Sequence, residues 1–382
     1  MAECRAFFEE LTSQYKGVML NPTQRDASLW NTALQNNFLA NHIWFLTSGS
    51  SGEQKGVALS YEAMLASAEA VNRHFEVNHR DVLLRVLPLF HVGGFSVHVR
   101  SYLANCEIVQ TDAKWHPEEF VNLCERNKVT VVSRVPTQVF DLVVQSLPSP
   151  KTLRAVIVGG GSLNSNLAKQ AYQLGWPIYS SYGLTEFSSQ VATACRPCGP
   201  LHVLSHCEVR VREKIEISGH SLLTKYCFLD GGRGRLCDPK EQGWFVTEDL
   251  GDYREGELTV FGRGSDWVKI KGEGVSLAKL RSRLRELELK FGYLGEILAV
   301  PHPRDGHQLV LVTLPEIKIK MGSFDSLVET FHQSLSKIEQ LTAVVVVPAF
   351  PKSELGKILF AELESLVCTQ LCTKSHLVHH LT

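Results

Sequence analysis

The sequence predicts an α/β protein. A large N-terminal unit is built on a mainly parallel sheet, a small antiparallel, barrel-like part follows it, and a smaller α+β unit closes the chain. Three observations predict this. Short apolar runs alternate with helical patterns through residues 43–190, which is the pattern of βαβ units. From about 207 to 261 the texture becomes alternating, as in Cys207-Glu208-Val209-Arg210-Val211 and Glu257-Leu258-Thr259-Val260-Phe261. Such alternation suits antiparallel strands with one wet face. Past the polar segment Gly262-Arg263-Gly264-Ser265-Asp266, mixed strands and helices resume to residue 382. That segment reads as a hinge, so the expected units are 1–263 and a mobile 266–382.

The elements follow in order. Ile43-Trp44-Phe45-Leu46 reads as a strand and a helical pattern begins after Ser60. Strands are expected at Val82–Leu87, Val129–Val132, Ala155–Val158 and Pro177–Ser180, with helices at about 61–75, 116–127, 136–146 and 164–174. In the last third, Ile297–Val300, Leu309–Thr313 and Ala343–Val347 read as strands. Leu277–Leu289 and Ser326–Ile338 read as amphipathic helices. Cys372–Thr382 shows no periodicity and is expected to fray.

Composition excludes several function classes. A formal net charge of −1 leaves no electrostatic footprint for nucleic acid. No apolar run approaches the ~18–20 residues of a membrane span. The N-terminal Met1–Glu10 is acidic and amphipathic, without the basic start of a secretory signal, so a cytoplasmic protein is expected. Ten cysteines in 382 residues do not suggest a disulfide framework. Cys195, Cys198 and Cys207 lie near His202 and His206, but the second ligand pair lacks zinc spacing, and reduced loop thiols are the expectation.

Chemistry is concentrated in a few segments. Thr47-Ser48-Gly49-Ser50-Ser51-Gly52-Glu53-Gln54-Lys55-Gly56 follows the first strand. Its glycines free the backbone to curl around an oxyanion, its hydroxyls and amides donate, and its Lys adds a charge. It is not the Walker-type loop, which has Lys directly before Ser or Thr. Gly159-Gly160-Gly161 sits between a strand and a helix, where a ligand can approach the backbone. Tyr182-Gly183-Leu184-Thr185-Glu186 sets a flat ring, a hydroxyl and a carboxylate at the next strand end. Ligands of open α/β sheets bind at that end.

Taken with Pro88-Leu89-Phe90-His91-Val92-Gly93-Gly94, Gly243–Asp249, Gly262–Asp266 and Pro351–Lys357, these segments stand in the order of the adenylate-forming superfamily, which the chain resembles over about residues 43–360. Val135-Pro136-Thr137-Gln138, Tyr182–Ser189 and Lys271–Val275 are most similar to the o-succinylbenzoate–CoA ligases of menaquinone and phylloquinone biosynthesis. The resemblance implies ATP, Mg2+ and coenzyme A acting on a small carboxylic acid, by way of an acyl-adenylate. It implies that Thr47, Ser48, Gly49, Ser50, Ser51, Gly52 and Lys55 embrace the ATP phosphates, with Gly159, Gly160, Gly161 and Gly183 also lining the nucleotide. Tyr182 would pack on adenine, Thr185 contact phosphate and Glu186 hold magnesium. Asp249 and Arg263 would meet the ribose, Lys357 would act on the reacting carboxylate, and His91 would border the acyl pocket. Arg100, nine residues after His91, is the candidate for a second substrate carboxylate, with a surface salt bridge as the alternative. A ligase for benzoate or a fatty acid, and a binding protein without turnover, stand as the other readings. Only 46 residues precede the phosphate loop, fewer than in relatives, so a shortened N-terminal region covered by a second copy of the chain is a further expectation.

Overall fold

In a computed structural model, residues 2–13, 17–21, 26–48, 54–291, 295–314, 324–333, 335–352, 358–372 and 378–380 are described. The βαβ pattern becomes one half of a nine-stranded sheet. Ile178–Leu184, Ala155–Val158, Val131–Arg134, Val82–Arg85 and Glu107–Gln110 run side by side, all parallel. All four residues of Ala155–Val158 are buried, as expected of a parallel strand covered on both faces. Pro117–Arg126, Pro136–Val144 and Ser165–Gln173 are the intervening helices.

The other half of this sheet is antiparallel. Ser189–Ala194 folds back on Ile178–Leu184, followed by Leu201–Val203, Glu257–Arg263 and Asp249–Arg254. This corrects one detail of the sequence reading. Glu257–Phe261 extends the large sheet and does not belong to a separate small one, which is formed by Cys207–Val211, Ile215–Gly219 and Phe245–Val246. Local alternation specifies an antiparallel strand but not its partner.

A third, five-stranded sheet holds the glycine-rich loop. His42–Ser48 and Gln54–Ser60 form an antiparallel hairpin in which Ser48 faces Gln54. The glycine-rich segment therefore lies between two strands that pair antiparallel with each other. Lys225–Asp230 pairs with Gln54–Ser60, setting Lys225 opposite Ala58. The helices Tyr61–His74 and Val92–Ala104 pack on this hairpin through a core that contains Phe45, Val57, Phe95, Val99 and Phe187. Phe8, on the helix Ala2–Thr12, is fully buried in the same core and stacks on Tyr61 at 4.3 Å. The acidic, amphipathic start of the chain is thus a docked helix.

After Gly264–Asp266, a 3-10 turn, come the hairpin Trp267–Ile270 with Glu273–Ser276 and a four-stranded sheet. The sheet order is Gly295–His302, Gly306–Thr313, Ala343–Val346, Val378–His380. Val378–His380 pairs antiparallel with Ala343–Val345, where fraying was expected. A three-residue strand carries too little pattern to be read without its partner. Leu280, Leu284, Ile297, Leu311 and Phe331 form this region's core against Leu277–Phe291. Asp266 ties the turn to that helix. One carboxylate oxygen accepts from Arg281 at 2.6 Å and the other from the Arg263 amide at 2.9 Å.

Candidate active site

The strand Ile178–Leu184 and the turn Thr185–Phe187 organise the site. Gly183 makes the turn sterically possible. A Cβ there would lie 1.9 Å from the Ser189 carbonyl oxygen, so only glycine lets the chain double back at the bulge between Tyr182 and Gly183. Fully buried Phe187 anchors the turn below, and the Leu223 amide donates to the Glu186 carbonyl at 2.8 Å. Thr185 and Glu186 stay partly open above.

Lys55 comes to the same place from the hairpin. Its Nζ lies 3.0 Å from Glu186 Oε1 and donates to Tyr226 Oη at 2.8 Å. Tyr226 Oη in turn donates to that same carboxylate oxygen at 2.8 Å. The three groups close a triangle. Burial, and then the neighbouring Glu186 charge, raise the Tyr226 phenol far above its ordinary range, so it stays a neutral donor. Thr47 faces Lys55 across the hairpin, and its buried hydroxyl has no partner among the described residues.

A second corner is built on the other side of the same strand end. Tyr182 Oη donates to Asp249 Oδ2 at 2.7 Å, and Arg263 Nε lies 3.7 Å from Asp249 Oδ1. Asp249 and Arg263 are directly opposed in adjacent strands. The buried Thr247 hydroxyl accepts from the Asp249 amide at 3.1 Å and donates to the Ile215 carbonyl at 2.8 Å. Gly159, Gly160 and Gly161 follow the neighbouring parallel strand, with Gly160 at φ 77 and the Gly159 amide on the Arg134 carbonyl at 3.1 Å. Tyr182 and Gly159–Gly161 stand at the carboxyl ends of neighbouring parallel strands, where such sheets hold ligands, while Asp249 opens the strand Asp249–Arg254.

Arg100 lies on the helix Val92–Ala104, and His91 stands at its start. His91 is the residue before it, half-buried, with its ring 4.8 Å from Phe90. A Cβ on Gly94 would lie 2.2 Å from the Pro88 carbonyl oxygen, so the helix starts hard against the preceding loop. Arg100 is 2% exposed, and its Nε and Nη1 have no partner among the described residues. Burial pulls the guanidinium down to about 10, so it stays charged at neutral pH. The alternative of a surface salt bridge is excluded by that burial. Gly49, Ser50, Ser51, Gly52 and Lys357 lie outside the described residues, and of Ser48 only the strand is described. Tyr226 and Thr247 were not singled out by the sequence. Tyr226 stands in no glycine-marked segment, and only its place in the apolar run Tyr226-Cys227-Phe228-Leu229 could have pointed inward.

Cys195, Cys198 and Cys207 are free thiols. No group of three His, Cys, Asp or Glu residues that could hold a metal ion occurs among the described residues. Glu186 fits magnesium in another way, because that ion is often held by one or two carboxylates together with substrate phosphates.

Two half-buried histidines give the fold a pH dependence. Burial pushes both His98 and His206 down to about 4. Their folded values are depressed, so the unfolded chain binds more protons as pH falls below about 6.5, and stability is lost from there toward pH 4. Between pH 7 and pH 5 the loss should be about 2 kcal/mol, after discounting for partial exposure. Urea unfolding at the two pH values checks this. In His98→Leu the dependence should be shallower; an unchanged slope would exclude that histidine.

The profile of the family described as AMP-binding enzyme matches residues 18–237. Among curated proteins, the chain is 25% identical over 353 residues to a 2-succinylbenzoate–CoA ligase of Staphylococcus aureus, covering 88% of this chain and 69% of that one. Among solved structures, an E. coli MenE variant with bound OSB-AMS superposes with a TM-score of 0.70 at 27% identity, over 85% of this chain and 68% of that one. The fold is shared also with o-succinylbenzoate CoA synthetase (MenE) of Bacillus subtilis in complex with OSB-AMP, at a TM-score of 0.72, 24% identity, and coverage of 84% and 68%. No helix among the described residues is long and apolar enough to cross a membrane.

Proposed function

We propose, on the premise that this chain belongs to the AMP-binding enzyme family, that it is an AMP-forming acid–CoA ligase whose acid is 2-succinylbenzoate. The observation that carries the reading is the convergence of two corners on one strand end. Lys55 meets Glu186 on one side, and Tyr182, Asp249 and Arg263 meet on the other. The first pair suits phosphates, and the second suits a nucleoside. A carboxylate can accept from two vicinal hydroxyls, and the Tyr182–Asp249 contact fixes the ring and the acceptor together.

A carboxylate is a poor acyl donor because its oxygen leaves poorly. Its attack on the ATP α-phosphorus gives an acyl-adenylate and pyrophosphate, and the coenzyme A thiol then displaces AMP. No protein nucleophile is needed. Glu186 would hold magnesium, which neutralises charge on the phosphates, while Lys55 and Lys357 supply cationic donors where charge gathers. The segment Gly264–Asp266 is the proposed hinge, with 266–382 as the moving unit. His91 borders the acyl pocket, and buried Arg100 is the proposed partner of the second carboxylate of the acid. ATP and coenzyme A are soluble substrates and the thiols of Cys195, Cys198 and Cys207 are free, which supports a cytoplasmic setting.

The test is acid-dependent pyrophosphate release and thioester formation with 2-succinylbenzoate, benzoate and a medium-chain fatty acid, each with coenzyme A. The aromatic dicarboxylic acid should be preferred. A preference for fatty acids would sink the substrate, and no turnover with any acid would favour a binding protein. At the nucleoside corner, Asp249→Ala should weaken ATP binding about tenfold or more, since a charged acceptor is lost and the Tyr182 hydroxyl is left unpaired. Unchanged affinity by calorimetry would remove Asp249 from the ribose.

A further inference from the structure

We infer that Tyr226 is a positioning residue for the phosphate end of this site, holding the Glu186 carboxylate and the Lys55 ammonium in place through one hydroxyl. The inference rests on the ligase reading and adds to it a residue outside all the glycine-marked segments. Tyr226 lies on Lys225–Asp230, a strand paired with the one that carries Lys55. Its ring is held from several sides. Phe228 packs at 5.8 Å, Phe245 at 6.3 Å, and Lys55 Nζ lies 4.0 Å over its face. The residue is 6% exposed, so the ring has little freedom and the hydroxyl has a fixed direction.

That hydroxyl has two uses at once. It donates to Glu186 Oε1 and accepts from Lys55, each at 2.8 Å. The ammonium touches the same carboxylate oxygen at 3.0 Å. A carboxylate that is to meet a metal-bound nucleotide must keep its orientation when the lysine turns to phosphate. The phenol supplies that constancy, because it is a neutral donor that does not compete for charge. It also lowers the cost of separating the ion pair, since each partner keeps one hydrogen bond. The turn Thr185–Phe187 fixes the Glu186 backbone, and Tyr226 fixes its side chain.

The experiment is calorimetric binding of ATP with and without Mg2+, for wild type, Tyr226→Phe and Phe228→Leu, each with its thermal melting curve. In Tyr226→Phe, affinity for Mg2+–ATP should fall about tenfold, the effect of one hydrogen bond to a charged group. Affinity for metal-free ATP should change by less than threefold. Phe228→Leu disturbs the ring cluster and keeps the hydroxyl, so it should leave the ratio of the two affinities as in wild type. Equal losses of both affinities in Tyr226→Phe, or no loss, would overturn the inference, as would a shifted ratio in Phe228→Leu. If Tyr226→Phe melts well below wild type, binding measured below its transition still gives the ratio. Failure of the wild type itself to bind Mg2+–ATP would fall on the ligase reading instead.

Discussion

Replacing Lys357 by Ala is expected to slow acyl-adenylate formation about 10²–10³-fold while thioester formation from supplied acyl-adenylate stays within a few-fold, the cost of removing one preorganised donor from developing charge. The residue itself lies outside the described positions, but its flanks do not. Lys352 and Ile358 form an antiparallel bridge that brackets the segment. Lys352 is also near enough to Asp141, on the helix Pro136–Val144, to pull its carboxyl downward against the larger upward push of burial. That helix begins directly after Val131–Arg134, at the carboxyl ends of the parallel strands. The two half-reactions can be read apart by pyrophosphate exchange and by thioester release from acyl-adenylate. Normal exchange in the variant would refute the assignment, and equal loss in both halves would show a fold defect.

What was legible in the sequence follows from the range of the constraint. Gly183 and the Gly159–Gly161 run answer to backbone geometry within a few residues, and they announced a site before any partner was known. Four of the five parallel strands of the large sheet were legible from short apolar runs, whereas Glu107–Gln110, polar and exposed at both ends, was not. Sheet membership was not. The pairing of Lys225 with Ala58 joins positions far apart in the chain, and nothing local in either strand encodes it. Hence the hairpin around the glycine-rich loop, the transfer of Glu257–Arg263 to the large sheet and the strand Val378–His380 all emerged only in three dimensions. Tyr226 was hidden for the same reason. Its value lies in where Lys225–Asp230 docks, and a tyrosine in a short apolar run ordinarily reads as core. The Lys55–Glu186 contact shows the opposite case. Both residues were picked by motif, and the fold brings them within an ion-pair distance of 3.0 Å.

Arg100→Met should make the protein more stable and less selective together. The guanidinium is charged and 2% exposed, and two of its nitrogens have no acceptor among the described residues. Burying such a group costs free energy in the nucleotide- and acid-free protein. A methionine of similar length fills the space without that cost, so the stability in urea is expected to rise by about 1–3 kcal/mol. If Arg100 is instead held by a structural partner, removing it would strand that partner and destabilise the fold by about 3–5 kcal/mol. The two outcomes have opposite signs. For function, a buried guanidinium that meets a second substrate carboxylate supplies a charge-assisted, two-point contact. Its loss should lower kcat/KM for 2-succinylbenzoate about 10²–10³-fold, the size of a desolvated charge pair, while benzoate changes by less than a few-fold. Lysine should not restore the full rate, since a point charge lacks the planar fork. A stabilised variant with undiminished discrimination would detach Arg100 from the acid pocket, and equal losses on both acids would make its role one of packing the helix Val92–Ala104. Stability gained where selectivity is lost is the expected signature of a charge kept in the core for a ligand.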